Sequence, residues 1–179
     1  MKFDSQQHHR RSIRLKGYDY SQAGAYFVTI VAWHREMLFG EIVDGEMILN
    51  EFGQIVREEW ERTAIVRPNI ELGAYVIMPN HLHGNLVFID DGVGATRRVA
   101  PTKTTLQSGS LGAVMAQFKS IVTKRINGLW NISGRPVWQR NYYEHIIRND
   151  REMDNITRYI ESNPSMWAED DENPTKSKP

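Results

Sequence analysis

The chain has 179 residues, 40% of them hydrophobic, no cysteine, and 22 Lys+Arg balancing 22 Asp+Glu. This length fits one ordinary domain with a proper core. The lack of cysteine excludes disulfides and thiolate metal sites, and no apolar run approaches the roughly 18 residues of a membrane-spanning helix. The zero net charge hides a segregation: residues 1–35 carry +4, 36–96 carry −8, 97–151 carry +8 and 152–179 carry −4.

Residues 1–25 are polar and basic and carry no apolar stretch of the signal-peptide kind, so a cytoplasmic location is the default expectation. Tyr26 to Trp33 is rich in aromatic and β-branched residues and predicts a central strand. Leu38 to Val43 and Glu46 to Leu49 flank Asp44-Gly45, a hairpin signal. Asn50 is placed to cap a helix over Glu51 to Ala64, where Phe52, Ile55, Val56 and Trp60 recur at helical spacing. Strands are predicted over Ile70 to Ile77 and His81 to Phe88, split by Met78-Pro79-Asn80. Residues 90–108 have the composition of a mobile loop.

Leu111 to Leu129 predicts an amphipathic helix burying Leu111, Val114, Phe118, Ile121, Val122 and Ile126. Tyr142 to Arg148 predicts a strand, and Asp150 is placed to cap a last helix reaching about Ser162. The acidic, proline-containing tail over 168–179 is expected to fray. Strand, hairpin, helix, two strands, helix, strand and helix suit an antiparallel sheet with helices packed on it, an α+β domain.

The two basic blocks could form one face for a polyanion, since attraction follows the local field rather than the net charge. Alternating basic and acidic helices around a surface would give the same pattern. His81-Leu82-His83 is sharper. Residues two apart on a strand share a face, so both imidazoles could reach one divalent ion at about 2.0–2.2 Å. Such a pair needs a third ligand, and solvent-facing histidines on a half-exposed strand are the plainer alternative. Tyr159 and Asn163 lie four apart on the last predicted helix and so share a helical face, although Pro164 disfavours helical geometry at Asn163. Read alone, Tyr159 is better explained as a core or half-buried aromatic.

Several segments together resemble the REP-associated group of the single-tyrosine HUH transposases. They are Arg11-Ser-Ile-Arg-Leu-Lys-Gly-Tyr18, Gly24-Ala-Tyr-Phe-Val-Thr29, Val76-Ile-Met-Pro-Asn-His-Leu-His83, Phe118-Lys-Ser120, Trp138-Gln-Arg140, Tyr143-Glu-His-Ile-Ile-Arg148 and Tyr159-x-x-x-Asn163-Pro164. The resemblance covers about residues 10–167.

It implies a ferredoxin-like antiparallel sheet, the HUH endonuclease fold, over residues 26–167. It implies His81 and His83 as ligands of Mg or Mn, Asn163 as a further metal ligand, and Tyr159 as the nucleophile. The implied reaction nicks and rejoins single-stranded hairpin DNA through a 5′-phosphotyrosine; the alternative is a domesticated hairpin-binding protein that does not cut. Arg10, Arg11, Arg14 and Lys16 fall where the resemblance places DNA recognition. Lys119, Lys124 and Arg125 are candidate phosphate contacts, with a solvated helix face as rival. Trp130 and Trp138 are candidates for base stacking, or else core residues. Tyr142 and Tyr143 beside His145 mimic a nucleophile with its base, but the resemblance places them on a sheet strand as packing residues. Monomer and homodimer are both compatible with the resemblance, and neither a membrane nor an internal repeat is expected.

Overall fold

The computed structural model describes residues 18–90 and 108–176. Arg10, Arg11, Arg14 and Lys16, and nearly all of the predicted 90–108 loop, lie outside these residues. The described elements are β1 (Gly24–Val31), β2 (Gly40–Val43), β3 (Glu46–Leu49), α1 (Glu51–Ile65), β4 (Ile70–Met78), β5 (His81–Phe88), α2 (Leu111–Trp130), β6 (Tyr143–Ile147) and α3 (Asp150–Ser162).

Four strands form one antiparallel sheet in the order β4-β5-β1-β6. With α1 between β1 and β4 and α2 between β5 and β6, this is the βαββαβ ferredoxin-like order. The α+β expectation holds. β2 and β3 stand apart as a two-stranded ribbon. Its turn places Asp44 at φ 53° and Gly45 at φ 80°, the paired positive values that suit a tight hairpin between right-twisted strands.

Asn50 caps α1 as expected, its side chain accepting from the backbone N–H of Phe52 and Gly53. The cap of α3 is Asn149 rather than Asp150, accepting from Glu152 N–H at 2.9 Å. Asp150 is instead the first helical residue, where a carboxylate meets the positive helix end. β1 stops at Val31 rather than at Trp33, because the chain turns over Trp33–Arg35 with His34 at φ 53° and Arg35 at φ 57°.

The alternation of β1 and β5 separates two faces. Tyr26, Val28, Ile30, Leu82, Leu86 and Phe88 pack against Trp60 of α1 and Phe118 of α2 in the main core. Gly84 belongs to this face: a β-carbon there would be driven into the Trp60 ring. The opposite face carries Phe27, Thr29, His81 and His83, and α3 lies over it through Ile156 and Ile160.

The tail beyond Trp167 does not fray over its described residues. It makes a 3-10 turn over Trp167–Glu169 and buries Asp170 and Asn173. Composition misled here because polar groups do the anchoring. Asn173 Nδ2 donates to Trp167 O at 2.9 Å, Asn80 Nδ2 donates to Glu172 O at 2.8 Å, and Arg35 pairs with Glu172 at 2.6 Å.

Candidate active site

The site begins with two neighbours on β5. His81 is opposite Val31 and His83 opposite Thr29 on β1, so both imidazoles emerge on the α3 face, with Leu82 in the core between them. Their Nε2 atoms are 3.0 Å apart. The Nδ1 of His81 meets the Oδ1 of Asn80 at 2.8 Å. An amide oxygen only accepts, so that Nδ1 donates and the Nε2 carries a bare lone pair. The Nδ1 of His83 meets the Thr29 hydroxyl at 2.7 Å, and the ring is stacked on Phe27. Both rings are thus held from behind, with their Nε2 atoms directed at one point.

Burial keeps both rings neutral. It lowers His81 to a pKa of about 3, with Arg35 contributing, and lowers His83 to about 3, with His81 contributing and Asp170 opposing. Neutral imidazole is the metal-binding form. Two bonds of about 2.1 Å at a right angle would place their nitrogens about 3 Å apart, matching the observed spacing.

The sequence reading misses Asp170. The folded tail brings its Oδ2 to 4.0 Å from His81 Nε2, and His81, His83 and Asp170 form one buried group with ligand atoms within 4.8 Å of one another. Since His81 is neutral, this contact is not an ion pair at pH 7. The carboxylate is held instead by Asn163 Nδ2 at 3.1 Å and Glu172 N–H at 2.6 Å. A carboxylate beside two imidazole lone pairs is a donor set suited to a divalent cation. No sequence signal marks Asp170, because one acid within Glu169-Asp-Asp-Glu172 has no distinguishing spacing.

Tyr159 and Asn163 arrive on α3. The Tyr159 hydroxyl is 3.1 Å from His83 Nε2, and the residue is 46% exposed. Partial burial, reinforced by Asp170 and opposed by Asn163, raises the phenol to a pKa of about 12. Asn163 keeps helical dihedrals (φ −57°, ψ −42°) despite the proline after it, and so stays one turn from Tyr159. With Nδ2 given to Asp170, its Oδ1 is buried without a partner among the described residues, leaving one further acceptor at the site.

The other candidates disperse. Lys119 donates to the carbonyls of Gln139, Arg140 and Asn141 at 2.5, 3.0 and 3.5 Å, and burial lowers it to about 8. Arg125 pairs with Glu58 at 2.6 Å and Glu59 at 2.8 Å. Both are engaged within the fold, whereas Lys124 is exposed. Trp138 is 5% exposed and packs on Phe39 and Phe118, which makes it a core residue. Trp130 lies beneath the Arg135 guanidinium, 4.1 Å from its ring centroid. His145 is bonded to Glu152 at 2.6 Å and Tyr143 packs edge-on to Phe27, in keeping with packing roles.

No family model matches the chain. A protein of Haemophilus influenzae without an assigned function is 39% identical over 174 residues, covering 94% of this chain and 96% of that protein. A second protein of that organism, provisionally named a REP-associated tyrosine transposase, is 30% identical over 146 residues, covering 82% of this chain and 73% of its own length. Among solved structures, a REP-associated tyrosine transposase bound to a REP hairpin superposes with a TM-score of 0.58 at 19% identity. The match spans 87% of this chain and 74% of that one, and it supports the same fold.

Proposed function

The chain belongs to the REP-associated tyrosine transposases, and from that premise we propose that it nicks and rejoins single-stranded DNA bearing a hairpin, with Tyr159 as the nucleophile. The observation that carries this reading is the 3.1 Å approach of the Tyr159 hydroxyl to the paired histidines. A half-exposed phenol beside a buried ligand cluster is a nucleophile next to an electrophile-binding site rather than a packed aromatic.

His81, His83 and Asp170 would hold a divalent cation, Mg or Mn, with the unpartnered oxygen of Asn163 as a further donor. When bound, such an ion neutralises charge on a phosphodiester and favours the phenolate. The Tyr159 oxygen attacks phosphorus, the P–O3′ bond breaks, and the phenolic proton is lost to solvent as the departing 3′-oxygen gains one. The products are a 5′-phosphotyrosine and a free 3′-hydroxyl. Because the number of phosphate esters is unchanged, attack by another 3′-hydroxyl reseals the strand without an outside energy source. The histidines and the tyrosine come from one chain, so the reading assigns Tyr159 to its own histidines.

Incubation with labelled hairpin oligonucleotides and Mn or Mg should give a denaturation-resistant protein–DNA adduct that is lost in Tyr159→Phe while hairpin binding persists. Hairpin binding without an adduct, across both metals and varied hairpins, would favour the non-cutting binding protein instead.

A further inference from the structure

The two histidines are held from behind by partners of different kinds. Asn80 is oriented by its Nδ2, which donates to Glu172 O at 2.8 Å and Arg35 O at 3.3 Å. Its Oδ1 therefore faces His81 and can only accept, which fixes the His81 proton on Nδ1. Behind His83 stands a hydroxyl, Thr29 Oγ1 at 2.7 Å, which can donate or accept. We propose that Thr29 is a positioning residue that lets His83 keep its proton on Nε2 until a divalent cation enters and on Nδ1 afterwards, and that this exchange frees the Tyr159 oxygen for attack. The inference rests on the metal-dependent tyrosine reading above and deepens it.

The front of the site calls for both forms. His81 Nε2 and His83 Nε2 are 3.0 Å apart, a hydrogen-bond distance. With His81 fixed, a second bare nitrogen would set lone pair against lone pair where burial keeps water from screening them. A proton on His83 Nε2 removes the clash by donating to His81 Nε2, and His83 Nδ1 then accepts from the Thr29 hydroxyl. To hold one cation, both Nε2 atoms must present lone pairs. The His83 proton must then lie on Nδ1, with Thr29 Oγ1 as its acceptor. One proton changes nitrogen, and the charge of the ring is the same in both forms.

The ring itself stays in place. His83 is buried and stacked on Phe27, with centroids 5.4 Å apart and an interplanar angle of 27°. A half-turn would take both nitrogens away from their partners, so the change is made by the proton. Thr29 is buried on β1 directly opposite His83, so bulk water does not replace its hydroxyl. Valine at this position would keep the branched shape and offer neither donor nor acceptor, whereas serine would keep both.

Tyr159 feels the same change. Its oxygen is 3.1 Å from His83 Nε2. An N–H at Nε2, shared between His81 and the phenol, occupies a lone pair that attack on phosphorus would use. In the Nδ1–H form no such donor faces the phenol, and its oxygen keeps both lone pairs for the substrate.

The test uses the full chain, treated with chelator and carrying isotope-labelled histidine. Long-range proton–nitrogen NMR spectra distinguish a protonated ring nitrogen from a bare one, and His81→Gln and His83→Gln variants assign the signals. His83 should carry its proton on Nε2 in the chelator-treated protein and on Nδ1 with saturating Mg, while His81 keeps Nδ1–H throughout. Free Mn measured by electron paramagnetic resonance should show at least about tenfold weaker binding in Thr29→Val, and binding like that of the unsubstituted protein in Thr29→Ser. His83 with Nδ1–H in the chelator-treated protein would overturn the proposal. So would tight Mn binding by Thr29→Val, or equal weakening in Thr29→Val and Thr29→Ser. An unsubstituted protein that takes up neither cation would overturn it together with the metal reading. Adduct formation is scored separately: a failed exchange with a normal adduct rejects the role of Thr29 alone, and a normal exchange without an adduct rejects strand cutting alone.

Discussion

The two faces of the sheet obey different rules. The face under α1 and α2 is mainly apolar, with Tyr26, Val28, Ile30, Leu82 and Leu86 packed on Trp60 and Phe118 and a single buried carboxyl on the sheet, Glu144 opposite Val28, among the described residues. The face under α3 has only a small apolar cluster around Phe27, Ile147 and Ile160, and also buries the polar residues Thr29, Asn80, His81, His83, Asn85, Asn163 and Asp170. Burying polar groups costs stability where protein hydrogen bonds do not replace those to water, as at Asn163 Oδ1, which has no partner among the described residues. One layer of the fold thus supplies the stability that the other gives up to keep lone pairs and a carboxylate out of water.

Substitutions on the two faces should separate activity from stability. The largest effect belongs to Tyr159→Phe, which should lower strand cleavage by about 10⁴-fold or more with an almost unchanged urea midpoint. A matching loss of stability would mean that the ring serves packing. Next, Trp60→Ala should cost about 3–5 kcal/mol in urea unfolding, and Gly84→Ala should destabilise through the same contact. A neutral Trp60→Ala would break the division between the faces.

Asp170→Ala should weaken Mn binding at least about tenfold, read as a smaller thermal shift on Mn titration. An unchanged shift would confine the metal centre to β5 and α3. The smallest effect is on pH dependence. In chelator-treated protein, His81 and His83 stay neutral down to about pH 3, while in the unfolded chain they charge below about 6.5. The unfolded state therefore takes up more protons in this window, and stability falls as pH drops from 6.5 towards 3. At pH 5.5 this amounts to about 1–1.5 kcal/mol per histidine. Urea curves at pH 7.5 and 5.5 that differ no more than those of a His81→Gln, His83→Gln variant would contradict the burial of the rings.

Periodicity made part of this legible beforehand. The two-residue repeat of a strand puts His81 and His83 on one face, and the four-residue step of a helix puts Asn163 beside Tyr159. The βαββαβ order emerges from the same patterns. Contacts between segments distant in sequence were not legible. Asp170 reaches the histidines only because the tail folds back through single polar bonds, and Thr29 matters only through the β1–β5 register. Trp130 and Trp138 were indistinguishable until the fold sank Trp138 in the core and left Trp130 beneath the Arg135 guanidinium. Lys119 and Arg125 looked available on a basic helix, yet one is bound by carbonyls and the other by glutamates.

The most direct test of the account is where the DNA becomes attached. After reaction with a hairpin oligonucleotide and Mn, nuclease trimming and tryptic digestion, mass spectrometry should find the 5′-phosphonucleotide remnant on the peptide that begins at Tyr159. A remnant on the peptide containing Tyr142 and Tyr143, or on any residue other than Tyr159, would contradict it.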